Sequence, residues 1–113
     1  MAVNKNCVAP GELLKDTHFG YTLSILGGKH KMIIIYLIAQ RDNNIRFNEL
    51  HREMGGVSYR ALSMALKELA ASGIVERREY PQVPPKVEYS LTEKGLSLLP
   101  IMDAMCLWGR EHS

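Results

Sequence analysis

The chain has 113 residues, 46% of them hydrophobic and 23% charged, with a formal net charge of +2. This composition fits a globular protein, and the length sets one domain, residues 1–113, as the expectation. A sequence pI near 8.6 permits nucleic-acid binding without demanding it, since strongly basic domains run above about pI 9. The two cysteines, Cys7 and Cys106, stand far apart with no CxxC pair, which excludes a zinc ribbon or a thioredoxin-like motif. The longest apolar block, residues 32–39, is eight residues, too short to span a bilayer. The opening MAVNKNCVAPGELL has no long apolar run of the kind a signal peptide needs. The expectation is a cytoplasmic protein with reduced thiols and no membrane partner. A domain this short buries a modest core, so oligomerisation would add useful stability.

Residues 1–11 read as an arm, punctuated by Pro10-Gly11. Scattered apolar residues from Leu13 to Leu26 predict a short helix in the second half of residues 12–26, stopped by Gly27-Gly28. Residues 29–40, KHKMIIIYLIAQ, are ambiguous by period. Three successive isoleucines fit a buried strand, whereas a length near twelve fits a buried helix. The helix is the better reading, because Asp42-Asn43-Asn44 closes it and no second strand signal stands nearby. Residues 45–47 predict one small strand, and residues 48–54, NELHREM, a compact helix capped by Asn48 with Leu50 and Met54 inward.

A Gly55-Gly56-Val57 turn leads into a helix from Ser58 to about Ser72. Ser58 is a good N-cap. At about 100° per residue, Leu62, Ala65, Leu66 and Leu69 share one side, while Tyr59, Arg60, Ser63, Met64 and Lys67 share the other. The first face wants a core. The second is hydroxyl-bearing and basic, with no acidic residue before Glu68, which suits the major groove of DNA. Helix, short glycine turn, helix is the helix-turn-helix pattern, and Gly73 supplies a left-handed stop.

The period then changes. Residues 74–80 and 86–91 have strand character, the second alternating polar and apolar. Between them Pro81-Gln82-Val83-Pro84-Pro85 makes a stiff loop, because proline presets φ. A hairpin directly after a helix-turn-helix is a wing. Thr92 restarts a helix as N-cap, with Glu93 near the positive end of its dipole. From Leu96 to Trp108 that helix is apolar almost all the way round, so a partner surface is implied. Pro100 either kinks it or marks its true start. The fold class is mainly α with a small β-hairpin (α+β).

Residues 46–95, RFNELHREMGGVSYRALSMALKELAASGIVERREYPQVPPKVEYSLTEKG, closely resemble the HxlR-type winged helix-turn-helix transcriptional regulators of bacteria. The upstream LGGKHK, residues 26–31, and the downstream LLPIMDAMCLWG, residues 98–109, match the same family, and the likeness runs from Cys7 to the end. His30 departs from it, standing where the family usually has tryptophan after GGK. The start departs too: the family's usual CP becomes Cys7-Val8, with proline only at Pro10. The resemblance implies a homodimer on operator DNA. Recognition helices enter successive major grooves, wings touch flanking backbone, and terminal helices build the dimer interface. Residues 46–95 would then be the helix-turn-helix and wing, and residues 96–113 the dimerisation helix, with Leu98, Leu99, Met102, Met105 and Trp108 as interface candidates. For some members the family also implies sensing of electrophiles or oxidants by a cysteine near the N-terminus.

Arg60 is the leading candidate for base contact, because arginine reaches guanine O6 and N7 bidentately; the competing reading is a phosphate contact. Ser58, Tyr59 and Ser63 are donors to phosphates or bases. Against that, Ser58 suits a plain N-cap and Tyr59 suits packing on the preceding helix. Lys67, a turn further on, fits a phosphate better than a base. Arg46 and Asn48 sit at the start of the motif's first helix, where backbone N–H groups also hold phosphate. Lys86 is favoured over Arg77 and Arg78 in the wing, whose glutamates make much of the hairpin charge-balanced; Tyr80 and Tyr89 read as hairpin packing.

Cys7 stands beside Lys5, and a nearby cation favours thiolate. Cys106 suits core packing; at a dimer interface it would instead face the partner's arm, and oxidation would join the two thiols between subunits. His18, His30, His51 and His112 have no metal-ligand spacing with the cysteines, so no metal or other cofactor is expected. No nucleophile–base pair or phosphate-cradling loop appears, so catalysis has no support. The leading function is a homodimeric, sequence-specific DNA-binding regulator, a repressor on a pseudo-palindromic duplex site. The alternatives are a winged-helix protein-interaction module without DNA contact and a thiol enzyme built on Cys7. The sequence names no small-molecule effector.

Overall fold

The isoleucine run decides the centre of the molecule. In the computed structural model, which describes residues 11–113, Ile34, Ile35 and Ile38 are fully buried on the helix α2 (Lys31–Gln40). Positions one, three and four apart on a helix share one broad face, so the ambiguous stretch resolves as a core helix. It follows α1 (His18–Leu26), which a 3-10 turn (Leu14–Asp16) precedes. Buried Thr17 joins the two: its hydroxyl donates to the Leu14 carbonyl at 2.6 Å and accepts from the Gly20 N–H at 2.9 Å.

After α2, Asp42 and Asn43 take left-handed φ values of 56° and 60°, which short polar side chains tolerate best after glycine. Asn43 turns this to use. Its amide accepts from the Leu91 N–H at 2.7 Å and donates to the Leu91 carbonyl at 3.3 Å, pinning the turn to a strand 48 residues on. Next come β1 (Ile45–Arg46), α3 (Phe47–Glu53), α4 (Tyr59–Ala71), β2 (Val75–Tyr80), β3 (Lys86–Leu91), α5 (Glu93–Leu96) and α6 (Leu99–His112). The sheet runs β1-β3-β2, all antiparallel, with Ile45 opposite Tyr89 and Val75 opposite Leu91. A single cluster binds the layers: α2, the inner stripe of α4 and the inward residues of all three strands.

Two local expectations are corrected. Asn48 does not cap α3: extended backbone persists through Arg46, the helix starts at Phe47, and no side chain caps it. Pairing of Arg46 with Glu88 holds the strand up to that point. The terminal helix is two helices, α5 capped by Thr92 through Gly95 N–H, and α6 with Pro100 in its first turn. Pro100 therefore marks a start and not a kink, since the first helical turn has no use for its missing N–H.

Candidate nucleic-acid interface

The α3–α4 unit is built by residues that do nothing else. Gly55 and Gly56, at φ 60° and 98°, make a left-handed turn that side-chain-bearing residues rarely adopt. Leu62, Ala65, Leu66 and Leu69 seat α4 in the core, as its period required. Ser58 caps it, its hydroxyl accepting from the Ala61 N–H at 3.0 Å. His51 of α3 donates from Nε2 to the Val57 carbonyl at 2.7 Å, and its ring lies on Tyr59 with centroids 3.9 Å apart. Phe47 stacks behind Tyr59 at 6.0 Å. The tyrosine thus packs on the preceding helix, although its surface remains 59% exposed.

The outward stripe of α4 carries Arg60, Met64 and Lys67, all exposed, with half-buried Ser63 between them. Glu68, the helix's one carboxylate, is drawn off that stripe by Lys31 of α2, 2.9 Å away. Beside α4 lies a cleft of about 890 Å³ between the start of α3, the α4 stripe and the wing. Among the described residues, Arg46, Arg52, Lys67, Arg77 and Lys86 line it against only Glu49 and Glu88, so the cleft is cationic. Both carboxylates are engaged. Glu49 pairs with Arg41 at 3.3 Å, and Glu88 lies 3.4 Å from Lys86. Lys86 also sits 4.7 Å above the Tyr80 ring. Partial burial pushes the Glu88 carboxyl up; hydrogen bonds from Asn44, Lys86 and Tyr80 and the Lys86 charge outweigh it, so its pKa is lowered.

The cleft gathers Arg46, Asn48, Ser63, Lys67 and Lys86 from the sequence-predicted set. Ser58, Tyr59 and Arg60 lie outside it, at the tip of α4. Arg52 was missed, though its signal was present: it follows Asn48 by four residues and shares its helix face. Arg77, which the sequence reading places below Lys86, also lines the cleft. Its register opposite Tyr89 puts it on the inward face of the sheet, and it shares that lining with Ser63 and Lys67 of α4. The hairpin is also the charge-paired ribbon expected, Arg77 included: Arg78 lies 3.4 Å from Glu76 and Arg77 3.7 Å from Glu79. At the wing's tip Val83 is fully exposed.

A second surface has the opposite chemistry. Phe19, Tyr21 and Leu23 of α1, Ile33 and Tyr36 of α2, and Ile101, Met105, Leu107 and Trp108 of α6 are all exposed. Met32, Ile33, Tyr36, Met102, Met105 and Cys106 line an apolar groove of about 400 Å³ between α2 and α6. Cys106 is exposed, which corrects the core-packing reading of that thiol. Of the interface candidates, Met105 and Trp108 are open, Leu98 and Leu99 are half-buried against the chain's own core, and Met102 is buried within it. Cys7 lies outside the described residues. Among the described residues no single helix is long and apolar enough to cross a membrane.

Comparison with known proteins agrees with this geometry. Residues 25–113 match the family model described as HxlR-like helix-turn-helix. An uncharacterised HTH-type transcriptional regulator of Halalkalibacterium halodurans is 62% identical over 96 residues, 85% of this chain and 84% of that relative. Among solved structures, the redox regulator HypR in its oxidised form superposes with a TM-score of 0.75 at 47% identity, covering 83% of this chain and 95% of that one. The reduced form of the transcriptional regulator YodB from Bacillus subtilis gives 0.72 at 34% identity, covering 83% and 90%. A capped, outward-facing helix beside a cationic cleft, matched along most of its length by such relatives, belongs to a DNA-binding transcriptional regulator and not an enzyme: the chain is a member of the HxlR-like helix-turn-helix family.

Proposed function

We propose that the chain acts as a homodimeric repressor that occupies a pseudo-palindromic operator. The observation that carries this reading is the division of its surface. Cations and hydroxyls flank α4 and the wing, whereas large apolar side chains crowd α1, α2 and α6. An apolar surface of that extent on a small protein marks an association site. A two-fold pair would present two α4 helices to half-sites about one helical turn apart. In each, Arg60 reads a base, Ser58, Tyr59 and Ser63 support it at the groove edge, and Arg46, Asn48, Lys67 and Lys86 hold backbone. Sedimentation at micromolar concentration should give a dimer, and a mobility shift with the protein's own upstream DNA should give one discrete, salt-sensitive band. A monomer in sedimentation would end the two-fold reading.

The regulator also responds to oxidants through its thiols. HypR is described as a redox regulator, and Cys106 is exposed beside the apolar groove that a second copy would cover. Cys7 of one subunit and Cys106 of the other would each lose a proton and an electron to a two-electron oxidant such as diamide, joining as one disulfide between subunits. On a non-reducing gel after diamide, wild type should run as a dimer and Cys7→Ser or Cys106→Ser as a monomer. A wild-type band that stays monomeric rules the linkage out.

A further inference from the structure

The carboxylate of Glu88 occupies an odd place for a DNA-binding cleft. It lies on β3, the central strand, with Arg46 of β1 opposite on one side and Arg78 of β2 opposite on the other. Directly opposed residues of antiparallel strands share a sheet face, and Lys86, two residues earlier on β3, shares it too. Two carboxylates, Glu88 and Glu76, therefore stand on a face with three cations. Glu88 engages Lys86 at 3.4 Å, while Arg78 is held by Glu76. The Lys86–Glu88 pair is not a loose surface contact: the two side chains are 26% and 14% exposed, and the Tyr80 ring backs the ammonium. Arg46, Lys86 and Glu88 all line the cleft. The arrangement offers an anion site whose anion is already supplied by the chain.

We propose that Glu88 is a built-in surrogate for a DNA phosphate, which holds Lys86 in the free protein and yields it to the backbone on binding, so that it lowers affinity for all duplex DNA alike. The proposal rests on the reading that this cleft receives DNA backbone. Because the exchange involves no base, it sets how strongly the protein binds DNA and leaves unchanged how well it tells sequences apart. Glu88 is thus a positioning residue acting through Lys86.

The test is titration of Glu88→Gln with the upstream duplex and a scrambled duplex over a range of salt concentrations, with thermal melts confirming that each variant folds. Affinity for both duplexes should rise by about fivefold at low salt, the upper end of what an exposed ion pair supplies, because this pair is partly shielded from water. The ratio between the duplexes should not change, and the slope of log affinity against log salt should steepen by roughly one. Glu88→Asp, which keeps the charge but withdraws it by one methylene, should give a smaller gain in the same direction. In a Lys86→Met background the gain should vanish. Unchanged or weaker binding by both Glu88 variants, or a gain that survives Lys86→Met, overturns the proposal. If wild type itself binds neither duplex, the cleft reading fails and the surrogate with it; wild-type binding with inert Glu88 variants sinks the surrogate alone.

Discussion

Helices α4 and α6 are nearly equal in length and opposite in what they leave open. α4 buries a continuous stripe of four residues and turns arginine, serine and lysine outward. α6 buries only Met102 and turns isoleucine, methionine, leucine and tryptophan outward. The first is finished within its own chain and awaits a polyanion. The second is unfinished, since apolar area in water is unfavourable by about 25 cal/mol per Å² until something covers it. Caps tell the same story. A side chain closes the N-terminus of α4, and none closes that of α6.

The comparison breaks first under core substitution. Leu66, 1% exposed, sits in the α4 stripe, and Leu66→Ala should cost about 2–5 kcal/mol of unfolding free energy. Leu107 on α6 is 45% exposed. Leu107→Ala should act only through association, so its effect in urea should shrink on dilution, while that of Leu66→Ala should not. An equal, concentration-independent loss from both would show α6 to be as self-sufficient as α4.

A charge at the centre of the apolar side should act next most strongly. Met105 is 54% exposed and lines the α2–α6 groove. Met105→Asp should weaken dimerisation by roughly a hundredfold, because an unpaired carboxylate would be driven into an apolar contact. Sedimentation should show monomers whose helical circular dichroism is intact. Loss of the fold together with the dimer would contradict the division of labour.

On the α4 side, Arg60→Ala and Lys86→Ala should differ in kind. Arg60→Ala should remove about 1–3 kcal/mol of discrimination between operator and scrambled duplex. Lys86→Ala should weaken both equally and flatten the salt dependence by about one. An Arg60→Ala protein that keeps its full preference would move base reading elsewhere on the stripe, with Ser63 the nearest candidate.

How much was legible depended on whether a signal was local. The α4 stripe, its Ser58 cap, the strand at residues 86–91 and the Thr92 cap follow from spacing and neighbouring residues, and the structure has each of them. Asn43 was readable as a turn residue, but its bonds to Leu91 were not, because a contact 48 residues away leaves no trace in a window of ten. Asn48 misled because cap preference is a local rule, and pairing of Arg46 with β3 overrode it. Arg52 was readable from its i, i+4 spacing after Asn48, whereas Arg77 reaches the cleft through packing of the wing against α4, which charge spacing along the chain does not encode. Cys106 looked like core because its neighbours are apolar; the helix simply has too little protein of its own to pack against.

The finest test asks whether the cap and the DNA contact at Ser58 are one role or two. Its hydroxyl accepts from Ala61 N–H, and it also lies at the exposed tip of α4. Ser58→Ala should cost about 1 kcal/mol of stability, since the helix loses its cap acceptor. Ser58→Asp should restore that stability, because a carboxylate caps equally well and is favoured at the positive end of the helix dipole. The same negative charge would face phosphate in the complex, so Ser58→Asp should bind operator more weakly than Ser58→Ala despite being the more stable protein. Stability and binding would then move in opposite directions at one residue. If binding by Ser58→Asp instead recovered with stability, the hydroxyl would serve the helix alone, and the base-reading end of α4 would begin at Tyr59.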